Sequence, residues 1–302
     1  GMWVANLYYW GFNQYIIQRT LAAKSLKEGQ KGIAFAAFLK LIIPVIVVLP
    51  GIIAYVMNVD PATGSLNMDL LGSEGFLGTS GNVANDNAAP WLIKNYIPVG
   101  LKGLILAALA AAIVSSLASM VNSTSTIFTM DIYKSLINKK ADDVKMVQVG
   151  RLTGLIALII ATLIAPKLGS LGQVFQFIQE YTGVVSPGIL AVFLMGLFYK
   201  KATNNASIWG VISSIPIAMY FKVAPNGWSD SIFFVNLPFM HQMMLTCLGT
   251  LLVIYVISNL ENKGDDPKGI TLSKKLFETD KTFNVAAFSV MLITALLYAL
   301  FW

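Results

Sequence analysis

The chain has 302 residues, of which 56% are hydrophobic and only 12% charged, whereas globular domains carry about 25% charged residues. Its mean hydropathy is +0.68, and its few charges fall in short stretches between long uncharged runs, which excludes an ordinary soluble domain and describes a polytopic membrane protein. The net charge of +6 arises from 21 Lys+Arg against 15 Asp+Glu; the basic residues lie in loops between apolar runs, where they orient helices and form no nucleic-acid-binding face.

Eight runs are long enough to cross a hydrocarbon core of about 30 Å: 1–18, 32–57, 98–133, 148–166, 173–199, 206–222, 240–259 and 282–302. Runs such as Leu41-Ile42-Ile43-Pro44-Val45-Ile46-Val47-Val48 are apolar on every side, so the spans are helices and not the alternating strands of a barrel.

The first run opens on Gly1-Met2-Trp3, directly inside an apolar segment, which reads as the start of a fragment. It carries Asn6-Leu7-Tyr8-Tyr9-Trp10-Gly11-Phe12-Asn13-Gln14-Tyr15. Rings interleaved with amides suit a sugar, whose apolar face stacks on an aromatic ring while its hydroxyls take hydrogen bonds; the same belt equally serves as an interfacial anchor.

In the second run Lys40 lies eight residues past Gly32, roughly 12 Å into the membrane at about 1.5 Å per residue. A lysine at that depth is either functional or snorkels to the headgroups. Pro44 and Pro50 behind it bend the helix and free backbone carbonyls. The loop from Val59 to Ile97 carries Asp60, Asp69, Glu74 and Asp86, and its length predicts a short helix or a lid on the external face.

The third run places small residues four apart, Ala108, Ala112 and Ser116 beside Ala111, Ser115 and Ser119. Close helix packing accounts for the pattern. The carbonyl of Ala112 with the hydroxyls of Ser115 and Ser116 also offers three hard oxygens on one side of a helix, the ligand type an alkali cation takes. In the fifth run Gln173, Gln176, Gln179 and Glu180 form a polar stripe ahead of Ser186-Pro187-Gly188, either a functional face or a water-exposed helix end. The seventh run holds the single His241 and the single Cys247. With no metal-ligand cluster and no Gly-rich phosphate loop, the sequence gives no ground for an enzyme.

Lys and Arg counts in successive connecting stretches run four, two, five, one, two, one and five. This alternation predicts that the stretch from Lys134 to Arg151 and the linker 259–281 are cytoplasmic and that the C-terminal Trp302 is outside.

Three groups of residues resemble the sodium:solute symporter family. They are Trp10 to Arg19 with Leu21-Ala22-Ala23-Lys24; Ser115-Ser116-Leu117 with Asn122-Ser123-Thr124-Ser125-Thr126 and Asp131-Ile132-Tyr133; and Gln179 through Pro187 to Lys200-Lys201 and Asn204. The resemblance implies an all-α polytopic protein forming part of a LeuT-like inverted-repeat transporter fold, with residues 1–199 as the second five-helix repeat and 200–302 as three peripheral helices. It implies sodium-coupled symport of galactose or glucose across a bacterial inner membrane. Asn6, Lys40 and Gln179 would hydrogen-bond the sugar, Tyr9 would stack below it as an inner gate with Trp10 beside it, and Ala112, Ser115 and Ser116 would bind the sodium ion. The first repeat is not in this chain, so the N-terminal half of the transporter is expected as a necessary partner. A sibling symporter for proline, pantothenate or myo-inositol is the alternative.

Overall fold

The computed structural model describes residues 1–60, 63–64, 87–168, 174–225, 234–267, 269–273 and 277–301. Among them are eleven α-helices and one π-helical segment. In chain order these are α1 (Met2–Gly11), α2 (Gln14–Leu21), α3 (Leu26–Lys40), α4 (Ile43–Met57), α5 (Ala88–Tyr96) and α6 (Val99–Ile127). The π-helical segment Phe128–Ile137 continues α6 and is followed by α7 (Asp143–Leu168), α8 (Val174–Phe198), α9 (Asn204–Val223), α10 (Phe239–Glu261) and α11 (Lys281–Phe301). Seven of the helical stretches among the described residues are long and apolar enough to cross a membrane: 26–57, 99–137, 143–168, 175–198, 204–223, 239–261 and 281–301.

The predicted first span, 1–18, is not one helix. It divides into α1, of ten residues, and α2, of eight. Phe12 leaves helical geometry at φ −131° and ψ −5°, and the Asn13 carbonyl restarts the ladder by accepting from Ile16 and Ile17 at 3.1 Å. Gly11 and Asn13 on either side of Phe12 are a stop signal and a start signal placed back to back. The loop predicted over 59–97 does contain a short helix, α5; Asp69, Glu74 and Asp86 lie outside the described residues.

The described chain forms two compact units. The first comprises Gly1–Ile17 with Phe175–Glu278, and the second Gln18–Val174 with Thr279–Trp302.

In the first unit, Ala206, Gly210, Ser214 and Ala218 are buried along α9 at four-residue spacing, opposite Met243, Thr246, Cys247, Thr250, Ile254 and Ser258 of α10. Lipid tails are as apolar as leucine, so helices in a bilayer associate through close backbone approach and hydrogen bonds rather than apolar burial. A methyl group added at Gly210 would stand 2.5 Å from Ile254 Cγ1, and one added at Gly188 of α8 would overlap Ser214. Pro187, inside α8, has no N–H for the Gly183 carbonyl one turn back, so α8 is weakened where its neighbours grip it. The polar end of the α9–α10 pair is tied by Tyr199 Oη donating to Asn259 Oδ1 at 3.0 Å and Asn205 Nδ2 donating to Glu261 Oε1 at 2.9 Å.

In the second unit, α6 packs on α7 through Gly150 and Gly154. Ser125 Oγ donates to the Gly150 carbonyl at 2.6 Å, and Val121 lies 3.0 Å from where a Gly154 side chain would begin. The start of α11 is fastened to α3 by Lys27 Nζ–Asp280 Oδ1 at 3.1 Å and by the Asp280 N–H donating to Gln30 Oε1 at 3.0 Å. Bonds from Thr282, then the Lys27 ammonium, hold the Asp280 carboxyl below the usual carboxylate range.

The Gly188–Ser214 contact makes a prediction. Gly188→Ala gains up to about 1 kcal/mol of helix propensity, but overpacking a tight contact costs about 1–3 kcal/mol. The net expectation is a lower Tm in detergent, restored by adding Ser214→Gly. An unchanged or raised Tm in the single variant would contradict the close approach.

Candidate functional site

The sugar candidates on α1 belong to the first unit. Tyr9 and Trp10 are 36% and 44% exposed and meet edge to face, ring centroids 5.2 Å apart at 83°. The Tyr9 and Tyr15 hydroxyls are 2.6 Å apart, so Tyr15, beyond the break, braces the Tyr9 ring. Asn6 lies three residues before Tyr9, on the same side of α1. Phe12 stacks on Phe193 of α8 at 4.8 Å and 19°. Gln179 precedes Phe193 by 14 residues, about 21 Å along the helix axis, so that stack does not draw it toward the end of α1. Among the described residues the side-chain amides of Asn6 and Gln179 make no hydrogen bond.

The sodium candidates lie on α6, in the second unit, and Ala112, Ser115 and Ser116 are all exposed. Three later hydroxyls of α6 turn back onto their own helix: Ser119 donates to the Ser115 carbonyl at 3.0 Å, Thr124 to Met120 at 2.9 Å and Thr126 to Asn122 at 2.8 Å. The hydroxyls of Ser115 and Ser116 make no hydrogen bond among the described residues.

Lys40, also in the second unit, ends α3 at the break before α4. Pro44 lies in the first turn of α4 and has no N–H for the Lys40 carbonyl, which is why the helix parts here. The ladder shortens to Leu41 N–H donating to the Phe38 carbonyl and Ile42 N–H to Leu39, both at 3.1 Å. The predicted bend is therefore a break, and Lys40 occupies it.

In the polar stripe of α8, Gln176 Nε2 donates to Glu180 Oε1 at 3.0 Å, and Lys222 at the end of α9 pairs with Glu180 Oε2. Lys222 also stands 5.5 Å from the Tyr181 ring centroid, a cation–π contact. A small cavity of about 20 Å³ opens beside this pair, toward Gln242 and Thr246. Reading by spacing found Gln176 and Glu180 on one face but missed Lys222, 42 residues on; the cue was a lone cation at the end of an apolar run with one carboxylate at the end of another. Also missed was Arg19, whose guanidinium donates to Ser119 Oγ.

Helices long and apolar enough to cross a membrane, with breaks beside polar residues, make this a polytopic helical membrane protein. The fold is all-α, part of a LeuT-like inverted-repeat transporter. The family model of the sodium:solute symporters matches residues 1–214, and the chain belongs to that family. The chain is 57% identical to the sodium/glucose cotransporter of Vibrio parahaemolyticus over 100% of its own length and 53% of that protein's. It is 34% identical to the human sodium/myo-inositol cotransporter 2 over 72% of this chain and 32% of that one. It thus spans about half the length of the bacterial relative and about a third of the human one. A solved substrate-bound outward-open state of a Na+-coupled sialic acid symporter superposes with TM-score 0.63 at 24% identity, covering 89% of this chain and 50% of that one, and shares the fold.

The Glu180–Lys222 pair is testable by double-mutant analysis. The side chains are 23% and 36% exposed, so stranding one charge costs less than for a fully buried pair, about 1–2 kcal/mol. Lys222→Met should lower Tm in detergent, and adding Glu180→Gln should recover most of the loss; equal losses in both variants would show that the pair is not coupled.

Proposed function

We propose that this chain is the substrate- and sodium-binding second half of a secondary active transporter that couples galactose or glucose uptake to sodium entry. The observation that carries this reading is the 57% identity to a sodium/glucose cotransporter along the whole chain. The 34% identity to a myo-inositol carrier supports a polyol as the second reading. Residues 1–199 form the second repeat and 200–302 the three peripheral helices. The remaining ligands come from an N-terminal half, without which the chain does not transport. The protein resides in a bacterial inner membrane, with the stretch from Lys134 to Arg151 and the linker 259–281 inside and the C-terminus outside.

The roles follow from chemistry. Asn6, Lys40 and Gln179 hydrogen-bond sugar hydroxyls, which the free amides and the helix-break lysine suit. Tyr9 stacks on the sugar from the cytoplasmic side, with Trp10 beside it and Tyr15 holding its hydroxyl. The Ala112 carbonyl and the Ser115 and Ser116 hydroxyls bind sodium. Sodium binding completes the site, so its gradient drives sugar inward as the two orientations alternate.

Two variants of the full-length transporter test the assignment. Ser116→Ala should raise the sodium concentration for half-maximal galactose uptake. Lys40→Ala removes a charged hydrogen bond worth about 1.5–3 kcal/mol and should weaken galactose binding roughly 10- to 100-fold. Unchanged sodium dependence in the first, or unchanged galactose affinity in the second, rejects that residue's role.

A further inference from the structure

The second unit contains a polar cluster that the proposed sites do not use. Gln18 and Arg19, on α2, reach α6 about one turn beyond the serine pair. The Arg19 guanidinium donates to Ser119 Oγ, and Ser119 Oγ donates in turn to the Ser115 carbonyl at 3.0 Å. Gln18 Nε2 donates to the Ser119 carbonyl at 3.4 Å, and Gln18 Oε1 accepts from Asn122 Nδ2 at 3.1 Å. Ser119 itself is buried, only 7% exposed. Three hydrogen bonds thus join two consecutive residues of a short helix to Ser119 and Asn122, and a fourth, within α6, leads from Ser119 to Ser115.

The placement of this cluster argues against mere packing. Two hydrogen bonds lead from Arg19 to the backbone of Ser115, the residue whose hydroxyl is a proposed sodium ligand. In the other direction, Arg19 follows Tyr9 by ten residues and Trp10 by nine. One short stretch of chain therefore carries the proposed gate ring at one end and a grip on the sodium helix at the other. Arg19 is exposed overall, while the Ser119 hydroxyl it donates to belongs to a buried residue; a charged donor makes a stronger hydrogen bond than a neutral one.

We propose that Gln18 and Arg19 are positioning residues that form a latch between α2 and the sodium helix. Through this latch, occupancy of the sodium site sets the readiness of the gate segment to hold sugar. This inference rests on the reading of Ser115 and Ser116 as sodium ligands. Sodium on the Ala112–Ser116 turn fixes the Ser115 backbone, which presents Ser119 to Arg19; the engaged latch then holds α2, and the chain that leads back to Tyr9 is ordered before sugar arrives. By linkage the sugar must tighten sodium by the same factor. Arg19 touches neither solute in this scheme and acts only on the coupling between them.

The test is equilibrium galactose binding to the full-length transporter in detergent, with and without sodium, for the parent, Arg19→Ala, Arg19→Lys and Ser116→Ala. The expected result for Arg19→Ala is unchanged sodium-free affinity and a loss of roughly tenfold in the tightening that sodium brings; Arg19→Lys, which keeps one charged donor, should retain part of it. Parent-like tightening in Arg19→Ala overturns the latch, as does an equal loss of affinity with and without sodium, which is the mark of a structural defect. If Arg19→Ala does not fold, Ser119→Ala breaks the same relay and is expected to behave alike. Ser116→Ala separates the two levels: if it abolishes the sodium effect while Arg19→Ala leaves it intact, only the latch fails; if Ser116→Ala itself leaves the sodium effect intact, the sodium assignment fails and the latch with it.

Discussion

Inside a bilayer no water is present to satisfy a polar group, and the rest of this structure follows from that constraint. Backbone N–H and C=O groups must pair within a helix, so a helix break is placed only where a side chain or ligand can use it. The breaks at Phe12–Asn13 and at Leu41–Ile42 both fall beside residues assigned to sugar. The same constraint turns hydroxyls back on their own helix along the later half of α6. Ser115 and Ser116 make no such bond among the described residues.

Packing obeys the same rule. With no hydrophobic gain from exchanging lipid for leucine, helices hold together by close approach at small residues and by polar ties. The buried four-residue stripe of α9 against α10 and the Gly150–Gly154 face of α7 do this in their respective units. At both places the side chain that would obstruct contact is missing or small, and a hydroxyl or carbonyl lies at the seam.

Much of this was legible in the sequence. Apolar runs with charges between them specify membrane helices, and seven of the eight predicted spans form at nearly their predicted places. The eighth, 1–18, forms as two helices, α1 and α2, because hydropathy reads straight through Gly11-Phe12-Asn13, whereas backbone capping reads it as an end and a beginning. Lys40 was visible as a misplaced charge, but the complete break beside it depends on which carbonyl Pro44 leaves without a donor. Partners distant along the chain were not legible: Lys222 reaches Glu180 from 42 residues away, and Arg19 reaches Ser119 from 100. Periodicity carries no information about contacts that tertiary packing alone creates.

The central claim is that sodium bound on α6 drives sugar across the membrane. Uptake of radiolabelled galactose into liposomes holding the full-length transporter tests it most directly. An inward sodium gradient should accumulate galactose above the external concentration, and replacing sodium with potassium should reduce uptake to that of empty liposomes. Equal uptake in the two salts, or accumulation without a gradient, would contradict the account.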